Sequence, residues 1–186
     1  MKKLIFVLTF IFFLYSGCSF ISGLFCKKPE VLLKKDFSGE RIAVLTFARN
    51  GSFISSDIGK SAADKLTNAL FLSGKYEIID RSKVNIAQSE LEILNTDILS
   101  HDKIQQLGLK LKANYLILGR ISSNPTSEYF DLGVEKKIGI SFRIISVLNT
   151  EVVGLVDYTT ETNKNISDEL DSMINKIVNA MSSQNE

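Results

Sequence analysis

Arg41-Ile42-Ala43-Val44-Leu45-Thr46-Phe47 is the stretch on which the fold turns. A short apolar run opened by a charge reads as a buried strand rather than as a helix face. The segment after it has helical spacing. Ser55, Ser56 and Asp57 offer N-caps, Ile58, Ala62, Leu66, Ala69 and Leu70 fall on one face, and Gly74 is placed to end the segment. Tyr76 to Asp80 then reads as a second strand, and Val84, Ala87, Leu91 and Leu94 step by three and four along a second amphipathic helix. A third helix is expected from about His101 to Lys110, capped by Ser100, with Ile104, Leu107 and Leu111 inward.

The remainder is a run of strands closed by a helix. Ala113 to Ile121 is apolar, and Ile138, Ile140, Phe142 and Ile144 alternate with Gly139, Ser141 and Arg143 in a period of two. Asn149-Thr150 reads as a tight turn from that strand, taken to Leu148, into Val152 to Tyr158. Ile166, Leu170, Met173, Ile174, Ile177, Val178 and Met181 form a continuous stripe, with Asp168 and Glu169 in the favourable first turn. Met173 and Met181 read as core. The order β-α-β-α-α-β-β-β-α predicts an α/β fold, a three-layer-like sandwich with a mixed sheet: parallel early pairs, then an antiparallel hairpin. No internal repeat is visible.

Working back to the start of the chain, Lys2 and Lys3 precede a charge-free core from Leu4 to Leu14, and small Ser16 and Gly17 stand before Cys18. That is the pattern of a bacterial lipoprotein signal, which makes Cys18 the lipidation site and the new N-terminus. A membrane-spanning helix and an ordinary secretory peptide are the alternatives. Ser16, Gly17, Ser19, Ser22 and Gly23 break the second half of the span, which argues against a transmembrane helix. The expected organisation is a signal peptide over 1–17, a lipid-anchored flexible tether over 18–40 and one α/β domain over 41–183. Ser19 in place of an aspartate after the cysteine leans the sorting toward the outer membrane.

Composition excludes several function classes. With 22 Lys and Arg against 21 Asp and Glu the chain carries +1, and no basic cluster is interleaved with aromatics, so a nucleic-acid partner is not expected. His101 is the sole histidine, and no second His or Cys in the domain completes a metal site or a Cys/His dyad. The expectation is a non-enzyme with no metal and no cofactor. Glu90 and Glu92 point to different helix faces, and Asp168, Glu169 and Asp171 suit a solvated helix start. Cys26 stays open among a second acylation site, an intermolecular crosslink and an ordinary thiol. Gly59-Lys60-Ser61 follows a strand and opens a helix, but a phosphate-binding loop needs a further glycine where Ile54 stands. Gly59 instead reads as a point of close helix-to-sheet approach, with Lys60 exposed. Asp80 reads as a helix cap and Arg81 as the partner of a carboxylate across the sheet end.

Arg41 to Phe47, Leu70-Phe71-Leu72-Ser73-Gly74-Lys75-Tyr76-Glu77-Ile78-Ile79-Asp80-Arg81, Leu107-Gly108 and Ala113-Asn114-Tyr115-Leu116-Ile117-Leu118-Gly119-Arg120-Ile121 together resemble the curli-assembly (CsgG-type) lipoprotein superfamily. The resemblance runs from about Arg41 to Met181, with Asp80-Arg81 as a shared structural motif. In the late hairpin the family often has Thr-Gly-Glu, where this chain has Asn149-Thr150-Glu151. The length is closer to the periplasmic activators of penicillin-binding proteins than to the pore-forming member. The pore-former inserts two transmembrane hairpins, each needing roughly 20 residues or more. Here the first slot, Ser122 to Lys137, is polar and short, and the second, Thr159 to Lys164, is shorter still. The resemblance therefore implies a lipid-anchored periplasmic domain, not itself a pore, that binds or regulates an envelope-biogenesis or secretion complex. Its expected partners are an envelope protein and, through the lipid, the membrane. An accessory ring subunit of a curli-type export channel, a homo-oligomer, is the alternative. Tyr129 and Phe130, in the polar loop from Ser122 to Lys137, are the candidate partner contacts.

Overall fold

The computed structural model describes residues 27–51, 55–93, 96, 98–125 and 136–184. Among these residues seven strands form one mixed sheet: β1 (Glu30–Leu33), β2 (Arg41–Val44), β3 (Ala48–Asn50), β4 (Glu77–Ile78), β5 (Tyr115–Pro125), β6 (Lys136–Ser146) and β7 (Val152–Thr162). Among the described residues four helices pack on it: α1 (Ile58–Leu72), α2 (Arg81–Glu90), α3 (His101–Leu111) and α4 (Ile166–Ser183). The spatial order is β1-β7-β6-β5-β2-β4, with β3 pairing β5 beyond the end of β2. β2 is parallel to β4 and β5, and β5, β6 and β7 form an antiparallel meander.

Period-two alternation divides the core between the sheet's two faces. Ile42, Val44, Tyr115, Ile117, Ile140, Phe142 and Val156 point to one side, where α1 and α4 contribute Leu66, Leu70, Leu170, Met173 and Met181. Ala43, Leu45, Leu116 and Leu118 point to the other and meet Val84 and Ala87 of α2 and Ile104, Leu107 and Leu111 of α3. The expected α/β sandwich with helix layers about a mixed sheet is the observed architecture.

The expected caps Asp80 and Ser100 are in place, and Asn165, not singled out from the sequence, caps α4. Asp80 accepts from the Ser82 amide at 2.8 Å, Ser100 from Lys103 at 3.4 Å and Asn165 from Ser167 at 3.0 Å. Asp57 occupies the cap position of α1 without a side-chain capping bond. Gly59 in that helix lies against the strand end as its sequence position suggests. A β-carbon there would meet the Phe47 carbonyl oxygen at 2.0 Å, while the Phe47 amide donates to the Gly59 carbonyl at 3.2 Å. This contact occupies the helix start that a phosphate would need, and Lys60 is exposed.

Two strands were not expected. The stretch read as tether, 18–40, is part of the domain from Glu30: β1 pairs antiparallel with β7, Glu30 opposite Asp157 and Leu33 opposite Gly154. Val31 and Leu33 pack against the core, and Phe37 is fully buried with its ring edge-on to Tyr115 at 5.0 Å. The domain thus begins about ten residues earlier than the sequence reading placed it. β3 is the second addition, following Phe47 directly and extending the parallel pairing along β5. The late hairpin also differs in detail, since β6 ends at Ser146 and a five-residue connection leads to Val152.

Candidate partner-docking site

β1, β7, β6 and β5 share a face that the helices leave open. Register places their side chains in transverse rows. Leu32, Leu155, Arg143 and Leu118 stand opposite one another in one row, and Glu30, Asp157, Ser141 and Arg120 in the next. On the opposite face the same strands are covered by α4 and α1. Here α2 and α3 reach only as far as Leu118, Ile145 and Val147.

The result is a groove of about 770 Å³ along these rows. Leu32, on the edge strand β1, is 59% exposed and Leu155, beside it on β7, is 49% exposed, so the two make an adjacent exposed apolar pair. Arg120, Arg143, Glu30 and Asp157 add both signs of charge around them. Two leucines flanked by arginines and carboxylates match the composition of protein-contact surfaces better than that of a small-molecule cleft.

The residues singled out from sequence fall in three places. Cys18, Cys26, Tyr129 and Phe130 lie outside the described residues. The strands flanking the Tyr129 segment pair as far as Pro125 opposite Lys136, at the end of the sheet that carries the groove. Asp80 and Arg81 lie away from the groove at the carboxyl end of β2. Arg81 donates through Nε to Asp64 Oδ1 at 2.9 Å, through Nη1 to the Val44 carbonyl at 2.5 Å and through Nη2 to Thr46 Oγ1 at 3.1 Å. Its side chain is 11% exposed. The bonds tie α2 to α1, to the end of β2 and to Thr46 just beyond it, so this motif clamps the fold. The serine hydrogen bonds hold the exposed Asp80 carboxyl below its ordinary range, first through the Ser82 hydroxyl and then through its amide. His101 is the exposed first residue of α3.

Sequence reasoning missed the groove because its outer strand, β1, was read as tether. The available signal was the short apolar run Val31-Leu32-Leu33 between Glu30 and Lys34. Among the described residues no group of three or more His, Cys, Asp or Glu is placed to hold a metal, and no helix is long and apolar enough to cross a membrane.

The family model "Curli production assembly/transport component CsgG" matches residues 34–128. No curated protein sequence matches the chain. Among solved structures, the PelC dodecamer from Paraburkholderia phytofirmans superposes with a TM-score of 0.55 at 19% identity, over 83% of this chain and 96% of that one. Lipoprotein GNA1162 from Neisseria meningitidis superposes with a TM-score of 0.55 at 15% identity, over 77% and 99%. These likenesses establish a shared fold.

Proposed function

The chain belongs to the curli production assembly/transport component CsgG family, and from that premise we propose that it is a lipid-anchored envelope lipoprotein. In this reading Cys18 carries the lipid, and the domain binds or regulates an envelope-biogenesis or secretion complex at the outer membrane. It is neither an enzyme nor a pore. The observation that carries the reading is the open groove face, where exposed Leu32 and Leu155 are framed by Arg120, Arg143, Glu30 and Asp157. A protein surface satisfies both the apolar centre and the mixed-charge rim. Tyr129 and Phe130, between β5 and β6 in the sequence, are proposed as further partner contacts.

An accessory ring subunit is the second reading, favoured by the likeness of nearly the whole length of a dodecameric protein's chain to this one. A photo-crosslinking residue at Leu155, with one at Leu109 of α3 as control, tests both in living cells. Leu109 is 74% exposed but lies on a helix away from the groove. The proposal expects a discrete adduct from position 155 and none from 109. A ladder of whole-subunit multiples would mark the ring. No adduct from position 155 would remove the groove from consideration.

A further inference from the structure

We infer that a lysine cluster beside the outer edge of β7 binds the headgroups of an anionic phospholipid surface. β1 covers β7 only from Gly154 to Asp157. From Tyr158 to Thr162, β7 has β6 on its inner side and no strand on its outer side among the described residues. A depression of about 360 Å³ lies there, lined by Lys27, by Lys176 of α4 and by Lys137, which stands on β6 opposite Glu161, the one acid in the lining. Lys176 donates to the Tyr158 hydroxyl at 3.2 Å, which sets its ammonium beside the strand. Lys28, next in the chain, is exposed. Lysines over an unpaired edge oppose addition of a further strand, so charge rather than backbone pairing is the recognition chemistry this edge offers.

The chain's own path selects a membrane as the anion. Lys27 is nine residues beyond Cys18, so an extended connection spans at most about 30 Å. This step rests on the lipid-anchor reading above. Given that anchor, the cluster is confined within reach of the headgroups, and the connecting residues include Ile21, Leu24 and Phe25. A patch that is weak in free solution then acts as an intramolecular second attachment. It would hold the domain with the β7 edge toward the bilayer.

The test uses the full lipidated chain with Cys26→Ser, carrying a fluorophore at Asn163→Cys beside the patch or at Leu148→Cys at the far end of the β6–β7 hairpin. Each is reconstituted into vesicles of phosphatidylcholine alone or with phosphatidylglycerol at 7:3, with a trace of nitroxide-headgroup lipid as quencher. At 50 mM NaCl, quenching at position 163 is expected to exceed that at 148 by about threefold in anionic vesicles only. The excess should vanish at 500 mM NaCl and in the Lys27→Gln/Lys137→Gln variant, whose thermal melt reports that it is folded. Equal quenching at the two positions, the same excess in neutral vesicles, or an unchanged double variant would each overturn the inference while leaving the anchor intact. A chain retained by neither vesicle type overturns the anchor and the inference together.

Discussion

Replacing Arg81 by lysine retains the charge but not the planar fork that serves Asp64, the Val44 carbonyl and Thr46 at once. We expect this variant to lose about 2 kcal/mol in chemical denaturation, and Arg81→Ala somewhat more; a loss below about 0.5 kcal/mol would contradict the clamp. Asp80 is a milder case with a distinct pH signature. Its folded-state pKa is depressed by its serine bonds, so the stability it contributes is present above its ordinary value of 3.8 and is lost as pH falls through the depressed value. Asp80→Asn should therefore unfold more readily than the parent at neutral pH, and the two should converge in acid. Both roles were legible in sequence, because a cap before a helix and a guanidinium at a strand end are local patterns. Thr150 was not fully legible. The missing family glycine was visible, but only the backbone shows Thr150 at φ +58°, where a β-branched residue is strained. Thr150→Gly should raise stability by about 1 kcal/mol, measured by the same denaturation.

At the scale of elements, legibility follows length and periodicity. α4 was readable because its stripe continues through five turns, and each predicted core residue from Leu170 to Met181 is buried. β1 was hidden by its surroundings, four residues set between Pro29 and the Lys34-Lys35 pair, and it depends on β7 for all its pairing. Leu33→Asp places a charge against the core beside Gly154, where a flexible tether would tolerate it. The expected cost is about 2 kcal/mol in thermal or chemical unfolding, and an unchanged melting point would return residues 30–33 to the tether. β3 had no sequence signal at all. Ala48-Arg49-Asn50 lacks alternation, and its place is set by Phe47, whose backbone is held against Gly59 while the chain continues along β5. Gly59→Ala would force that contact apart and is expected to cost about 3 kcal/mol.

For the whole molecule, the early inclusion of β1 changes the geometry of attachment as well as the size of the domain. A tether ending at residue 40 would let the domain roam tens of ångströms from a lipid on Cys18, whereas a sheet that begins at Glu30 leaves only 11 residues between them. On the proposed lipid anchor, the groove rows and the lysine-lined edge would work at a limited height above the bilayer. Neither the groove nor the edge could be read from the sequence, because each is assembled from strands far apart in the chain and brought together only by the β1–β7–β6–β5 register. Attachment at the membrane, and with it the reach of the groove and the lysine-lined edge, depends on lipid at Cys18. Labelling cells with a radioactive fatty acid, with the parent chain beside Cys18→Ser, measures it directly: label on the parent and none on the variant is the expected result. Label persisting on Cys18→Ser, or absent from the parent, would contradict it.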